Sequence, residues 1–301
     1  MSAALRARPG EVEILKDISF LFTKTMYNVL CTVQNSRTSY VRRYPLKNTV
    51  REKLSAGKTV YGTMMQELRS PAVPILFANA GYDFVFIDME HGAHDMETVA
   101  DMIKVCRGAG ITPFVRVPDL QYHFIARCLD AGAQGFMVPR VASVDDAKKA
   151  VAYSKYPPMG ERGCSINKGH NDYKGEDLLS FIKEANEQNF VILQIERKAA
   201  MDDLDNILSV KGVDAAILGP NDMAASYGVS EDLNGEFLND IFRKVVDAGK
   251  RHGVYTGMHI GNIPKLVEWK KKGMQIVTYN TDLGFLSAGA SAGLKELNKA
   301  E

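Results

Sequence analysis

Residues 83–117 read DFVFIDMEHGAHDMETVADMIKVCRGAGITPFVRV. The two ends of this stretch, 83–88 and 112–117, are short runs rich in Val, Ile and Phe, almost continuously apolar as parallel strands buried on both faces must be. Between them, residues 95–107 place Met96, Val99, Met102 and Ile103 on one helical face at three- and four-residue spacing, and Gly108 and Gly110 then stop the helix. Strand, helix and strand in immediate succession form a βαβ unit. The unit recurs along the chain, with further strand-like runs at 59–65, 135–139, 191–196, 213–218, 254–259 and 275–279. Helical patterns occupy 121–130, 143–156, 177–186, 201–208, 236–252 and 264–272, the second opening on Ser143 with Asp145 and Asp146 in its first turn. Eight strands alternating with helices predict an α/β fold, a (β/α)8 TIM barrel over residues 48–301, with a doubly wound open sheet as the structural rival. Residues 1–47 stand outside the pattern as an N-terminal extension. Residues 157–175, PPMGERGCSINKGHNDYKG, form a loop long enough to predict a functional role.

Composition excludes several classes. Of 301 residues, 37 are Lys or Arg and 36 are Asp or Glu, a net charge of +1 that leaves no basic footprint for nucleic acid or an anionic membrane. The most apolar N-terminal run, 18–33, is interrupted by Lys24 and preceded by Glu11, Glu13 and Asp17, which suits neither a membrane span nor a secretory signal. The four cysteines are scattered without a CxxC pair, as expected for reduced thiols in a cytoplasmic protein.

In a parallel barrel the C-terminal strand ends share one rim, where barrel enzymes keep their sites. Four of the predicted strands deliver charged groups there: Asp88-Met89-Glu90-His91-Gly92, Arg116, Gln194-Ile195-Glu196 and Gly219-Pro220-Asn221-Asp222. Glu196 and Asp222, carboxylates with no cysteine or paired histidine nearby, suit a hard cation such as Mg²⁺. For Asp222, ahead of Met223-Ala224-Ala225, a helix N-cap is the competing reading. Asp88 and His91 suggest a carboxylate orienting a general acid–base imidazole, against the plainer role of a structural loop histidine. Arg116 suits a substrate carboxylate or a developing oxyanion, with an ion pair to Asp88 or Glu90 as its alternative. Lys168 and Lys198 are poorly placed for a Schiff base, His94, His123 and His252 read as structural, and His259 stays open.

These motifs, together with Val115-Arg116-Val117-Pro118, Leu129-Asp130-Ala131-Gly132-Ala133 and 156–163 (YPPMGERG), resemble the metal-dependent pyruvate aldolases of the 4-hydroxy-2-oxoheptanedioate aldolase type over roughly residues 57–299. The resemblance implies a phosphoenolpyruvate/pyruvate-type barrel, assembled as a homohexamer with helix 283–299 exchanged between neighbours. It implies Mg²⁺ held by Glu196 and Asp222, substrate contacts from Arg116, Gln194, Gly219 and Pro220, and proton transfer by His91 paired with Asp88. Met64 or Met65 stands where relatives carry Trp, and the stretch 168–175, with His170 and Tyr173, is expected to shape a second-substrate site. Overall likeness to one member of the family favours oxaloacetate decarboxylation to a pyruvate enolate that adds to a 2-pyrone, yielding a substituted benzoate. The alternative is cleavage of a 4-hydroxy-2-oxo acid to pyruvate and an aldehyde. A barrel that has lost catalysis and serves as a scaffold is the reading from another class.

Overall fold

The computed structural model describes residues 47–175, 177–230 and 235–299; the extension expected over residues 1–47 lies outside these, Lys47 apart. Eight strands, β1 Val60–Met65, β2 Phe84–Asp88, β3 Thr112–Arg116, β4 Gly135–Val138, β5 Phe190–Ile195, β6 Ala215–Leu218, β7 Tyr255–Ile260 and β8 Ile276–Thr281, each pair in parallel with the next. Pairing of β8 with β1 closes the barrel, so the open-sheet alternative is set aside. Every predicted strand is present.

The helices are α1 Thr49–Ser55, α2 Ala72–Asn79, α3 Met96–Ala109, α4 Tyr122–Ala131, α5 Val144–Ser154, α6 Leu178–Gln188, α7 Lys198–Asp202, α8 Leu204–Leu208, α9 Pro220–Tyr227, α10 Glu236–His252, α11 Ile263–Lys272 and α12 Asp282–Asn298. Residues 201–208, read as one helix, are split at Asp203, whose φ of −127° and ψ of 26° leave the helical region. Helices α1, α2 and α9 escaped the periodicity reading. Helix α2 is apolar almost all round (AVPILFAN) and α9 is short, so neither writes a clear stripe.

Two apolar layers follow from the period of two along each strand. Outward residues such as Val85, Ile87, Val115, Leu193 and Ile195 pack beneath the helices. Inward residues fill the barrel with Phe84, Phe86, Phe114 and Phe190, whose ring centroids lie 5.3–5.8 Å apart in successive contacts. Gly62 on β1 is what admits Phe84, because a Cβ there would fall 2.2 Å from its ring. Val50 and Leu54 of α1 join this inner cluster from the N-terminal end, capped by buried Asn48. The barrel is thus plugged at one end, and only the C-terminal mouth stays open for chemistry.

Helix α12 is different. Its only buried residue is Asp282, while Leu294 and Leu297 are 60% and 70% exposed. Phe285 still packs on Phe77, Tyr82 and Tyr279. Beside it runs an apolar groove of about 270 Å³ lined by Tyr61, Tyr82, Ile263, Val267, Val277 and Tyr279. No helix among the described residues is long and apolar enough to cross a membrane.

Candidate active site

The strand ends at the mouth hold a connected charged network. The β2–β3 register sets Asp88 beside Arg116, and both side chains point inward. Arg116 donates from Nε to Oδ1 at 2.7 Å and from Nη2 to Oδ2 at 2.5 Å, while its Nη1 lies 3.3 Å from Glu90 Oε2. Gln66 Nε2 and the Glu90 amide also donate to Asp88 at 3.0 Å each. Burial pushes the Asp88 carboxyl up, but the hydrogen bonds and charge of Arg116 outweigh it and hold the group below the usual carboxylate range. Arg116 is therefore a fixed cation, 7% exposed, with its Nη2 also 3.6 Å from Met64 Sδ. Met64 faces the site, whereas Met65 belongs to the outer layer.

This pairing corrects one expectation. Asp88 does not orient the His91 ring; both its oxygens are engaged by Arg116, and from His91 it accepts only the backbone amide, at 3.4 Å. The physical reason is direction, since a strand-end side chain at Asp88 points along the sheet face toward its register neighbour, not back at its own loop. The His91 imidazole stands at the rim, 60% exposed, with Nε2 3.9 Å from Glu90 Oε2. Burial raises the Glu90 carboxyl against the attraction of Arg116.

Glu196 follows β5 and is 1% exposed. The Arg140 amide donates to its Oε1 at 2.6 Å, and Gln194 Nε2 donates to its Oε2. Arg140 reaches this geometry with φ of 57°, a left-handed backbone that a non-glycine residue adopts only where its surroundings impose it. Burial raises the Glu196 carboxyl, and the charges of Glu90 and Asp222 raise it further. Gly219 leaves the room Glu196 needs, because a Cβ there would sit 2.6 Å from Glu196 Oε2. Asp222 lies in the first turn of α9, but the N-cap is Gly219 and the Asp222 carboxylate accepts no hydrogen bond among the described residues. The capping alternative therefore falls away. A buried carboxylate raised by two like charges, an exposed carboxylate beside it and the orphaned Gln194 Oε1 form an oxygen-rich set that fits a hard divalent cation. Among the described residues no cluster of three or more His, Cys, Asp or Glu is assembled, so the remaining ligands of such a cation would be water or substrate.

Gln66, His91, Arg116, Gln194, Gly219, Pro220 and Asp222 line one cavity of about 270 Å³ at this mouth. His259, left open by the sequence, lines it too; its inward position on β7 was the signal available. Arg140, directly after β4, was missed altogether. No lysine lines the cavity among the described residues. Lys198 pairs with Asp202 on the surface. Lys155, pushed down to about 8 by burial, donates to the Asn186 and Asn189 carbonyls beyond α5, at the far end of the barrel.

Tyr173 and His170 are not at the site. The loop carrying them follows a helix, α5, and so is not one of the strand-to-helix loops that form the mouth. It runs along the outer face of α4, from the Tyr122 hydroxyl at Gly163 to Ala131 at Gly169. Asp172 pairs with Arg107 near the end of α3 at 2.9 Å, and Tyr173 beside it is 64% exposed. His170 is buried against Phe181 with ring centroids 4.7 Å apart, and burial pushes it down to about 4.

The family model described as HpcH/HpaI aldolase/citrate lyase matches residues 65–288, which carry every strand end just described. The chain belongs to the HpcH/HpaI aldolase/citrate lyase family. It is thus placed among carbon–carbon lyases, and the scaffold reading loses its ground. The hydroxypyruvate/pyruvate aldolase of Roseobacter denitrificans is 33% identical over 214 residues, covering 69% of this chain and 82% of that protein. The 5-keto-4-deoxy-D-glucarate aldolase of Salmonella arizonae is 30% identical over 225 residues, covering 74% and 86%. Among solved structures, an HpcH/HpaI aldolase from Desulfitobacterium hafniense superposes with a TM-score of 0.79 at 33% identity, covering 82% of this chain and 95% of its own. Macrophomate synthase superposes with a TM-score of 0.74 at 22% identity, covering 83% of this chain and 88% of its own. That shows a shared fold and no more.

Proposed function

We propose that this HpcH/HpaI family member is a Mg²⁺-dependent aldolase that cleaves 4-hydroxy-2-oxo acids to a pyruvate-type 2-oxo acid and an aldehyde. The observation that carries the reading is one cavity lined by Asp222 and by Arg116, locked by Asp88, with Glu196 buried just behind its Gly219 wall and close enough to feel the Asp222 charge. The aldolase names of the relatives at 30% identity or more favour it over oxaloacetate decarboxylation and addition to a pyrone.

Glu196 and Asp222 would hold the cation, with Gln194 beside them. When bound, Mg²⁺ supplies Lewis-acid polarisation of the 2-oxo group. Arg116 offers donors to the oxygen on which negative charge develops as the C3–C4 bond breaks, and its bidentate hold on Asp88 keeps it in place without reorganisation. His91, at the solvent rim, takes the proton from the 4-hydroxyl as the aldehyde carbonyl forms; a proton returned to C3 completes the 2-oxo acid. Gly219 and Pro220 line the cavity wall beside Glu196.

The test incubates the purified chain with 4-hydroxy-2-oxoheptanedioate, with Mg²⁺ and with chelator, and measures pyruvate and trapped aldehyde. Equal amounts of both are expected, lost on chelation and restored by Mg²⁺. Metal-dependent CO₂ release from oxaloacetate with no aldehyde from the hydroxy acid would reverse the choice. His91→Asn is expected to lower kcat by about 10²–10⁴, the usual range for one acid–base group. A near-normal rate would return His91 to the loop.

We also propose that the chain is a homo-oligomer in which α12 of one copy covers the apolar groove beside β1, β8 and α11 of another. Support comes from the exposed leucines of α12 and the adjacent unfilled groove, surface that monomers rarely leave in water. Sizing with light scattering should give a dimer or a multiple up to a hexamer. Leu286→Glu with Leu294→Glu should shift it to monomer, and a monomeric parent would end the proposal.

A further inference from the structure

His259 is the one titratable side chain lining the mouth, among the described residues, that the reaction above does not use. Strand alternation puts it on the barrel axis, since its neighbours Met258 and Ile260 belong to the outer layer. In a closed barrel of eight strands in sequence order, β7 lies opposite β3, so His259 and Arg116 face each other across the cavity both of them line. Its Nδ1 is buried and has no hydrogen-bond partner; Thr278 Oγ1, at the register position beside it on β8, is orphaned in the same way. Two unsatisfied buried polar atoms side by side are costly, and are expected where a ligand or water completes them.

The protonation state follows from the surroundings. Burial, and then the charge of Arg116, push the His259 imidazole down to about 4, so it is neutral at pH 7. A proton on Nδ1 would be an orphaned buried N–H, the rarer and costlier arrangement, which favours the tautomer protonated on Nε2 of a ring that lines the cavity. Depth then selects which half of the substrate it meets. The 2-oxo acid fragment lies deep, against Arg116 and the carboxylates, while the aldehyde fragment leaves past His91 at the open rim. On the aldolase reading the fragment's carboxylate and 2-oxo oxygens would turn toward Arg116 and the Glu196–Asp222 side, which leaves C3 toward β7.

We propose that His259 is a specificity-determining residue, donating a hydrogen bond from Nε2 to a hydroxyl on C3 of the 2-oxo acid, so that the site takes 3-hydroxylated donors in preference to pyruvate. This rests on the aldolase reading for the placement of the fragment.

The experiment measures binding, which needs no turnover. Dissociation constants for pyruvate and hydroxypyruvate are determined calorimetrically in Mg²⁺ for the wild type, His259→Leu and His259→Asn. The wild type is expected to bind hydroxypyruvate about tenfold more tightly, the worth of one net hydrogen bond. His259→Leu should abolish that preference while moving the pyruvate constant by less than about threefold, and His259→Asn, which keeps an N–H donor, should retain part of it. His259→Phe replaces the Leu variant should the latter fail to fold. A preference that survives in His259→Leu, equal losses for both ligands, or no hydroxypyruvate preference in the wild type would each overturn the assignment. Should the wild type cleave no 4-hydroxy-2-oxo acid yet lose its binding preference in His259→Leu, the aldolase reading falls and the role of His259 stands.

Discussion

Glu196→Gln is expected to reduce Mg²⁺-dependent cleavage by about 10³-fold or more, the loss of several kcal/mol of charge stabilisation at the 2-oxo group. The substitution keeps the side chain's shape and its acceptor oxygen for the Arg140 amide, so the local fold should survive. What it removes is the negative charge that burial and the Glu90 and Asp222 carboxylates already make costly. Two readouts separate this from a merely structural role. Mg²⁺ titration followed by calorimetry should show binding lost, and thermal stability without metal should stay level or rise, because a like-charge repulsion has been relieved. Asp222→Asn should weaken Mg²⁺ binding in parallel with little change in stability, as its carboxylate is exposed and accepts no hydrogen bond among the described residues. Full activity in either variant would refute the assignment of these carboxylates.

Arg116→Ala is expected to act on both activity and stability. Cleavage should slow by about 10²–10³, the customary effect of removing one oxyanion donor. Stability should fall by about 3–5 kcal/mol, because Asp88 is left as a buried carboxylate without its cation. For a barrel of this size that corresponds to a Tm lower by about 10 °C. The pH dependence supplies the sign. In the wild type the Asp88 carboxyl is held below its ordinary value, so its contribution is present above the unfolded pKa and is lost as pH falls through the folded one. Without Arg116, burial dominates and lifts that carboxyl above its unfolded value, so stability is lost as pH rises and recovered as it falls. The Tm gap between wild type and variant should therefore narrow on acidification from pH 7 toward 4. Asp88→Asn combined with Arg116→Ala should close part of the gap at pH 7, and a gap independent of both changes would show that the pair is not what the barrel leans on.

The strand and helix pattern was readable because each strand of a parallel barrel is buried on both faces, and a run such as 83–88 has no other use. The charged residues at strand ends were readable for the same reason, since the rim is the one place an apolar strand can hand over to Asp88, Arg116 or Glu196. Pairing among them was not. Asp88 and His91 are three residues apart in the chain, yet the partner of Asp88 is Arg116, placed beside it by the β2–β3 register. Arg140 reaches Glu196 through one left-handed residue that no local signal announced.

The amino-acid sequence by itself therefore determined the alternation of elements, the presence of eight strands and the chemical types at the mouth, because these depend on burial periodicity along the chain. The tertiary structure alone decided that the sheet closes, which carboxylate locks Arg116, that the loop carrying Tyr173 and His170 runs outside the barrel away from the mouth, and that His259 completes the wall opposite Arg116. Those outcomes depend on register and on which end of each helix a loop leaves, and both are fixed only when the strands close on one another.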